Sequence, residues 1–118
     1  MALLNKLLIA SAATSLMFSI ATADDALVKQ GEKIFNTKDL GNCLACHDVN
    51  GKKIDGPGSF GPKLTGLKDW DDQLLYDTIY DIYAARGLKV TSMPAFGRVG
   101  QMDEKEIKAV IAYLKTIQ

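Results

Sequence analysis

The chain has 118 residues, with 14 Lys+Arg against 14 Asp+Glu, two Cys, one His and one Trp. That length suits one domain, and the balanced charge argues against a protein built to coat nucleic acid. Hydrophobic residues make up 47% of it, but sixteen of them fall within residues 1–23, so the two parts are read separately.

Residues 1–6 carry one positive charge, and residues 7–23 run uncharged to Ala21-Thr22-Ala23, directly before Asp24-Asp25. A basic start, an apolar stretch and an A-x-A site before acidic residues have the form of a cleaved secretory signal peptide. A retained membrane anchor is the competing reading. A spanning helix wants about 20 apolar residues, and this run is interrupted by Ser11, Thr14, Ser15, Ser19 and Thr22. The expectation is an exported domain over residues 24–118, with no membrane span after signal cleavage.

Within that domain, residues 26–38 set Leu27, Val28, Ile34 and Phe35 around Gly31. This predicts a short amphipathic helix with a small-residue contact point, where Tyr113 of the last helix can approach closely. The cysteines follow. In an oxidising compartment a lone pair is ordinarily a disulfide, but Cys43 and Cys46 are separated by two residues and followed at once by the only histidine, His47. Cys43-Leu44-Ala45-Cys46-His47 matches C-x-x-C-H, the attachment sequence for c-type haem. Two thiols about one helical turn apart can each add to a haem vinyl group, and the adjacent imidazole can reach the iron. A thioredoxin-like motif would need alternating strands and helices around it. A closed zinc site would want four ligands, and the chain has no other Cys or His. One covalently attached haem c is the expected cofactor.

Residues 48–68 hold five glycines and two prolines, too many for a regular helix or strand. A loop of that length is unusual in a compact domain unless it packs on something, and a porphyrin face is such a surface. A metal-bound histidine normally donates its other ring N–H to a carbonyl. In Gly61-Pro62-Lys63-Leu64, the Pro62 carbonyl is the candidate acceptor and Leu64 the candidate packing residue, with a plain turn proline as the alternative.

Residues 70–86 repeat Leu74, Leu75, Ile79, Ile82 and Tyr83 at helical steps, with Asp69, Asp71 and Asp72 at the start and Gly87 at the end. Met93 follows in Thr91-Ser92-Met93-Pro94-Ala95-Phe96-Gly97, where Pro94 and Gly97 disfavour regular structure. A loop methionine can present its sulfur to the iron, and a neutral thioether favours reduced iron and raises the potential. Met93, 46 residues after His47, is the candidate sixth ligand; Met102 can equally fill a core gap, and a lysine is a further alternative. Asp103-x-x-Glu106 resembles a capping box, ahead of a stripe of Ile107, Val110, Ile111, Leu114 and Ile117. The pattern is that of an all-α domain with about three main helices. Residues 69–83 carry five Asp and no basic residue, and residues 84–102 carry Arg86, Lys89 and Arg98 and no acidic one. These are either solvated faces or a dipolar surface that orients a redox partner.

Gly31, Phe35, the Cys43–His47 motif, Gly61-Pro62-x-Leu64, Met93-Pro94 and the closing helix together resemble a class I c-type cytochrome across residues 24–118. Within that superfamily the chain is most similar to the SoxX family, the monohaem subunits of SoxAX cytochromes of thiosulfate oxidation. The carrying residues are Gly41-Asn42 before the motif, Gly56-Pro57, Leu75-Tyr76-Asp77-x-Ile79, residues 91–97 and Glu106-Ile107. The resemblance implies a class I cytochrome c fold, His47/Met93 ligation, and Phe96 in the haem pocket or at its edge. It also implies a periplasmic partner, a SoxA-like haem subunit, on which thiosulfate is oxidatively joined to a carrier-protein cysteine. This chain would then pass electrons to a soluble cytochrome c and supply no nucleophile, since Cys43 and Cys46 are consumed as thioethers. The competing classes are a free electron shuttle and a gas-binding cytochrome. An apolar haem-edge patch would favour a permanent subunit, with Phe60, Phe96 and Val99 as its candidates.

Overall fold

The computed structural model describes residues 23–118. The signal peptide expected before Asp24 therefore lies outside the described residues, except for Ala23. Helix α1 spans Ala23–Asn36, α2 Asp72–Tyr80, α3 Ile82–Arg86 and α4 Glu104–Leu114, with single 3-10 turns at Cys43–Ala45 and Leu67–Asp69. Among the described residues the only extended pairing is an isolated parallel bridge between Val49 and Leu64.

Helices α1 and α4 form the frame. A Cβ on Gly31 would lie 1.9 Å from the Ala109 carbonyl oxygen and 3.0 Å from Tyr113 Cβ, so the crossing admits only glycine. The expected close approach is present, with the Ala109 backbone nearer still than Tyr113. Phe35 and Tyr113 stack beside the crossing, tilted at 60° with centroids 5.3 Å apart. Ile107, Val110, Ile111, Leu114 and Ile117 are all buried. Burying each such side chain contributes roughly 1.5–3 kcal/mol. The capping box is formed: the Glu106 N–H donates to Asp103 Oδ1 at 2.8 Å, and the Asp103 N–H donates to Glu106 Oε2 at 2.9 Å.

The middle helical region departs from expectation. Asp71 caps α2 by accepting from the Leu74 N–H at 3.0 Å, but the helix ends at Tyr80 and α3 starts afresh at Ile82. Asp81 is extended (φ −153°, ψ 90°), and its carboxylate accepts from the N–H groups of Tyr83 and Ala84. In a continuous helix the Ala84 N–H would bond to the Tyr80 carbonyl. That carbonyl instead accepts from Gly97 and Arg98 at 3.1 and 3.0 Å. A long-range contact has taken the local acceptor, and an aspartate has replaced it. Leu75 and Ile79 are buried, whereas Leu74 is exposed and Ile82 only half-buried, so the core stripe ends where the helix breaks. Gly87 terminates α3 in the left-handed conformation, φ 62°.

Candidate haem-binding site

The C-x-x-C-H segment is delivered by the end of α1. The N–H groups of Gly41 and Asn42 both return to the Ile34 carbonyl, at 3.1 and 3.2 Å. Asn42 takes the left-handed conformation (φ 51°), which asparagine tolerates better than most residues. The chain then makes one tight turn, with the Cys46 and His47 N–H groups donating to the Cys43 carbonyl at 3.1 and 2.9 Å. Both thiols and the imidazole therefore belong to a single turn, as addition to one macrocycle requires. Neither cysteine is in a disulfide. Burial pushes the Cys43 thiol up to about 12, with a smaller contribution from Cys46. It is thus a neutral thiol at neutral pH, unlike the thiolate of a reactive cysteine.

The loop after the motif folds back along it. Gly58 N–H donates to the Leu44 carbonyl and Gly61 N–H to the Cys46 carbonyl, both at 2.8 Å. Leu64 N–H donates to Asp48 at 2.8 Å, and Asn50 N–H donates to Leu64 at 2.9 Å. This clasp sets the Pro62 carbonyl oxygen 2.8 Å from His47 Nδ1. With the proton on Nδ1 the ring donates to Pro62, its orientation is fixed, and Nε2 is the nitrogen that can bind a metal. A Cβ on Gly61 would lie 2.3 Å from His47 Cε1, so the imidazole packs directly on the glycine backbone.

The other candidates come from distant parts of the chain. Cys43, Leu64, Met93 and Phe96 are all half-buried and pack against the one hydrophobic core, as does Ile54, which the sequence pattern does not single out. Met102 sits inside that core, 4% exposed, while Met93 lies at its margin with Cys43 and Leu64. Phe60 and Val99 project outward, 88% and 56% exposed. The two charge blocks meet at one ion pair, Arg98 with Asp81 at 2.9 Å; Asp72 pairs with Lys115, outside both blocks, at 3.0 Å, and Arg86 lies 5.4 Å from the Trp70 ring centroid. The roles of Asp81 and Tyr83 are also hidden from composition. An aspartate in the middle of a helical stretch, able to cap a new helix, is the one signal that points to them.

A family model described as "Cytochrome C oxidase, cbb3-type, subunit III" matches residues 26–114, and the chain belongs to this family of cytochrome c domains. The particular likeness is to a solved structure, the crystal structure of SoxXA from P. pantotrophus. The match has a TM-score of 0.63 and 27% identity over 75% of this chain and 79% of that chain. No curated protein sequence matches the chain. The helical architecture is thus that of a cytochrome c electron-transfer domain, which implies haem c. The residues present fit that group: paired free thiols on one turn, an imidazole whose Nδ1 is already engaged, and a thioether at the edge of the same core.

Proposed function

We propose that this chain is the electron-accepting monohaem subunit of a SoxAX-type cytochrome, exported to the periplasm and paired with a SoxA-like haem subunit. The observation that carries this reading is the likeness to SoxXA, which extends over three quarters or more of both chains. The residues quoted above from the motif, the Gly/Pro loop and the Met93 segment support it.

Haem c would supply a one-electron couple between ferric and ferrous iron. The chain's own part is to hold and tune it. Cys43 and Cys46 would hold it through thioethers, and His47 would ligate the iron, made more basic by its bond to the Pro62 carbonyl. Met93 would supply a neutral sulfur ligand, which favours the reduced state. Leu64 and Phe96 extend the core to the macrocycle. The sulfur chemistry, in which thiosulfate is coupled to a carrier-protein cysteine, belongs in this reading to the SoxA-like subunit. Its electrons leave through this chain to a soluble cytochrome c.

The test is native purification, followed by adding thiosulfate to this chain with and without a SoxA-type subunit. Recovery of a haem-containing partner and thiosulfate-dependent reduction that requires it are expected. Recovery of monomer alone, with no such reduction, would instead support a freely diffusing shuttle.

A further inference from the structure

Both ends of the loop that carries Met93 are tied to the break between α2 and α3. Before Met93, the Tyr83 hydroxyl donates to the Thr91 carbonyl at 3.2 Å, and the Thr91 hydroxyl oxygen accepts the Met93 N–H at 3.1 Å. After it, the Gly97 and Arg98 N–H groups share the Tyr80 carbonyl. The Arg98 guanidinium also pairs with Asp81 and lies 5.8 Å from the Tyr83 ring centroid. The Asp81 carboxylate divides its work: Oδ1 caps α3, and Oδ2 holds Arg98. Its side chain is only 16% exposed, so this pair is better shielded than a fully solvated one.

Three residues of one short stretch, Tyr80, Asp81 and Tyr83, therefore grip residues 91–98 on either side of the methionine. A ligand anchored at both ends can leave the iron only if its loop opens, and opening breaks these bonds. We infer that the α2–α3 junction is the positioning element for the distal ligand. Tyr83 and Asp81 act through the 91–98 loop to hold the Met93 sulfur in place and keep outside ligands from the iron. The inference rests on Met93 being the sixth ligand. It gives the helix break a purpose: an unbroken helix would use the Tyr80 carbonyl internally and deprive Gly97 and Arg98 of their backbone anchor. It also sets this chain apart from a gas-binding cytochrome, in which the sixth position must be free or easily freed.

The experiment uses the oxidised holoprotein and two readouts, the sulfur-to-iron charge-transfer band and the rate at which added imidazole replaces the native ligand. Tyr83→Phe keeps the ring beside Arg98 and removes only the hydroxyl, and Thr91→Val removes the acceptor for the Met93 N–H. Each should speed imidazole binding about fivefold, the effect of one lost hydrogen bond. Thr91→Ser should return the rate to near the wild-type value. Asp81→Asn should also accelerate binding; if it fails to fold for want of its cap, Tyr83→Phe and the Thr91 pair decide. Ile107→Val loosens the core without touching the loop and should leave the rate unchanged. Wild-type rates in both Tyr83→Phe and Thr91→Val would overturn the inference, as would an equal acceleration in Ile107→Val. Met93→Ala separates the two levels. A charge-transfer band that survives it would refute the ligand assignment itself. A lost band, with wild-type imidazole rates in Tyr83→Phe and Thr91→Val, would refute only the role of the junction.

Discussion

The segment around His47 and the loop around Met93 carry the two proposed haem ligands, but they are built by different means. Residues 43–64 are held almost wholly by backbone: the motif turn, four hydrogen bonds from the returning loop, and a ring nitrogen on the Pro62 carbonyl. Residues 91–98 also have backbone bonds, to the Tyr80 carbonyl and from residues 99–102, but they depend in addition on two side chains of another element, the Tyr83 hydroxyl and the Asp81 carboxylate. A site made of backbone tolerates most side-chain changes and fails at the few positions where geometry forbids a Cβ. A site made of side chains can be loosened one bond at a time. The first arrangement suits a permanent attachment, the second a ligand whose hold evolution can adjust.

The largest effect should come from breaking the backbone-built side at its imidazole. His47→Ala should abolish the normal absorption spectrum of the holoprotein; an unchanged spectrum would exclude His47 as the proximal ligand. Gly61→Val comes next, because its side chain would enter the space of the imidazole. Overpacking of this kind costs typically about 1–3 kcal/mol. For a domain of this size each kcal/mol corresponds to roughly 4–8 °C in thermal midpoint, so a scanning calorimeter reads it directly. Pro62→Ala sharpens the contrast from the opposite direction. The acceptor for His47 is the carbonyl, which alanine keeps, so the spectrum should be unchanged and the cost should stay within about 1 kcal/mol. A large spectral change there would mean that the proline ring, and not the carbonyl, positions the imidazole.

The smallest effect concerns the core on which both regions rest. Burial first, and the charge of Glu32 second, raise the Tyr113 phenol above its ordinary value. The folded protein therefore holds this proton more tightly than the unfolded chain does. Its contribution to stability is complete below about pH 10, the ordinary phenol value, and is lost as pH rises through the higher folded value. Tyr113→Phe should remove that part of the alkaline loss, measured as denaturation midpoint against pH; an identical alkaline profile would show that the phenol does not contribute.

Much of the haem-binding side is legible in the sequence because its determinants are close together in the chain. Cys43, Cys46 and His47 lie within one turn, and the Pro62 carbonyl lies fifteen residues beyond the histidine it contacts. The capping box at Asp103 and Glu106 and the stripe that follows it are local in the same way. The Met93 side is less legible. Its methionine stands out in a Pro/Gly-bounded loop, but periodicity carries the helix of residues 70–86 straight through Asp81 and places Leu74 on the core stripe. The structure breaks that helix and leaves Leu74 exposed. The charge blocks read from composition as two separate faces, while Asp81 and Arg98 join them.

The sequence by itself determined the all-α class, the attachment turn, the Gly/Pro-rich loop after it and the presence of the two frame helices, although α1 runs Ala23–Asn36 where the pattern places it at 26–38. Each of these depends on the spacing of neighbouring residues or on glycine and proline, whose backbone preferences do not wait for tertiary contacts. Only the tertiary structure decided where the middle helix stops. The Tyr80 carbonyl could bond to Ala84 one turn away or to Gly97 and Arg98 across the fold. The second prevails in the folded chain, where Asp81 satisfies the Ala84 N–H that is left over and its other oxygen holds Arg98. That exchange of a local partner for a distant one is invisible to periodicity, and it turns an ordinary helical stretch into the anchor of the Met93 loop.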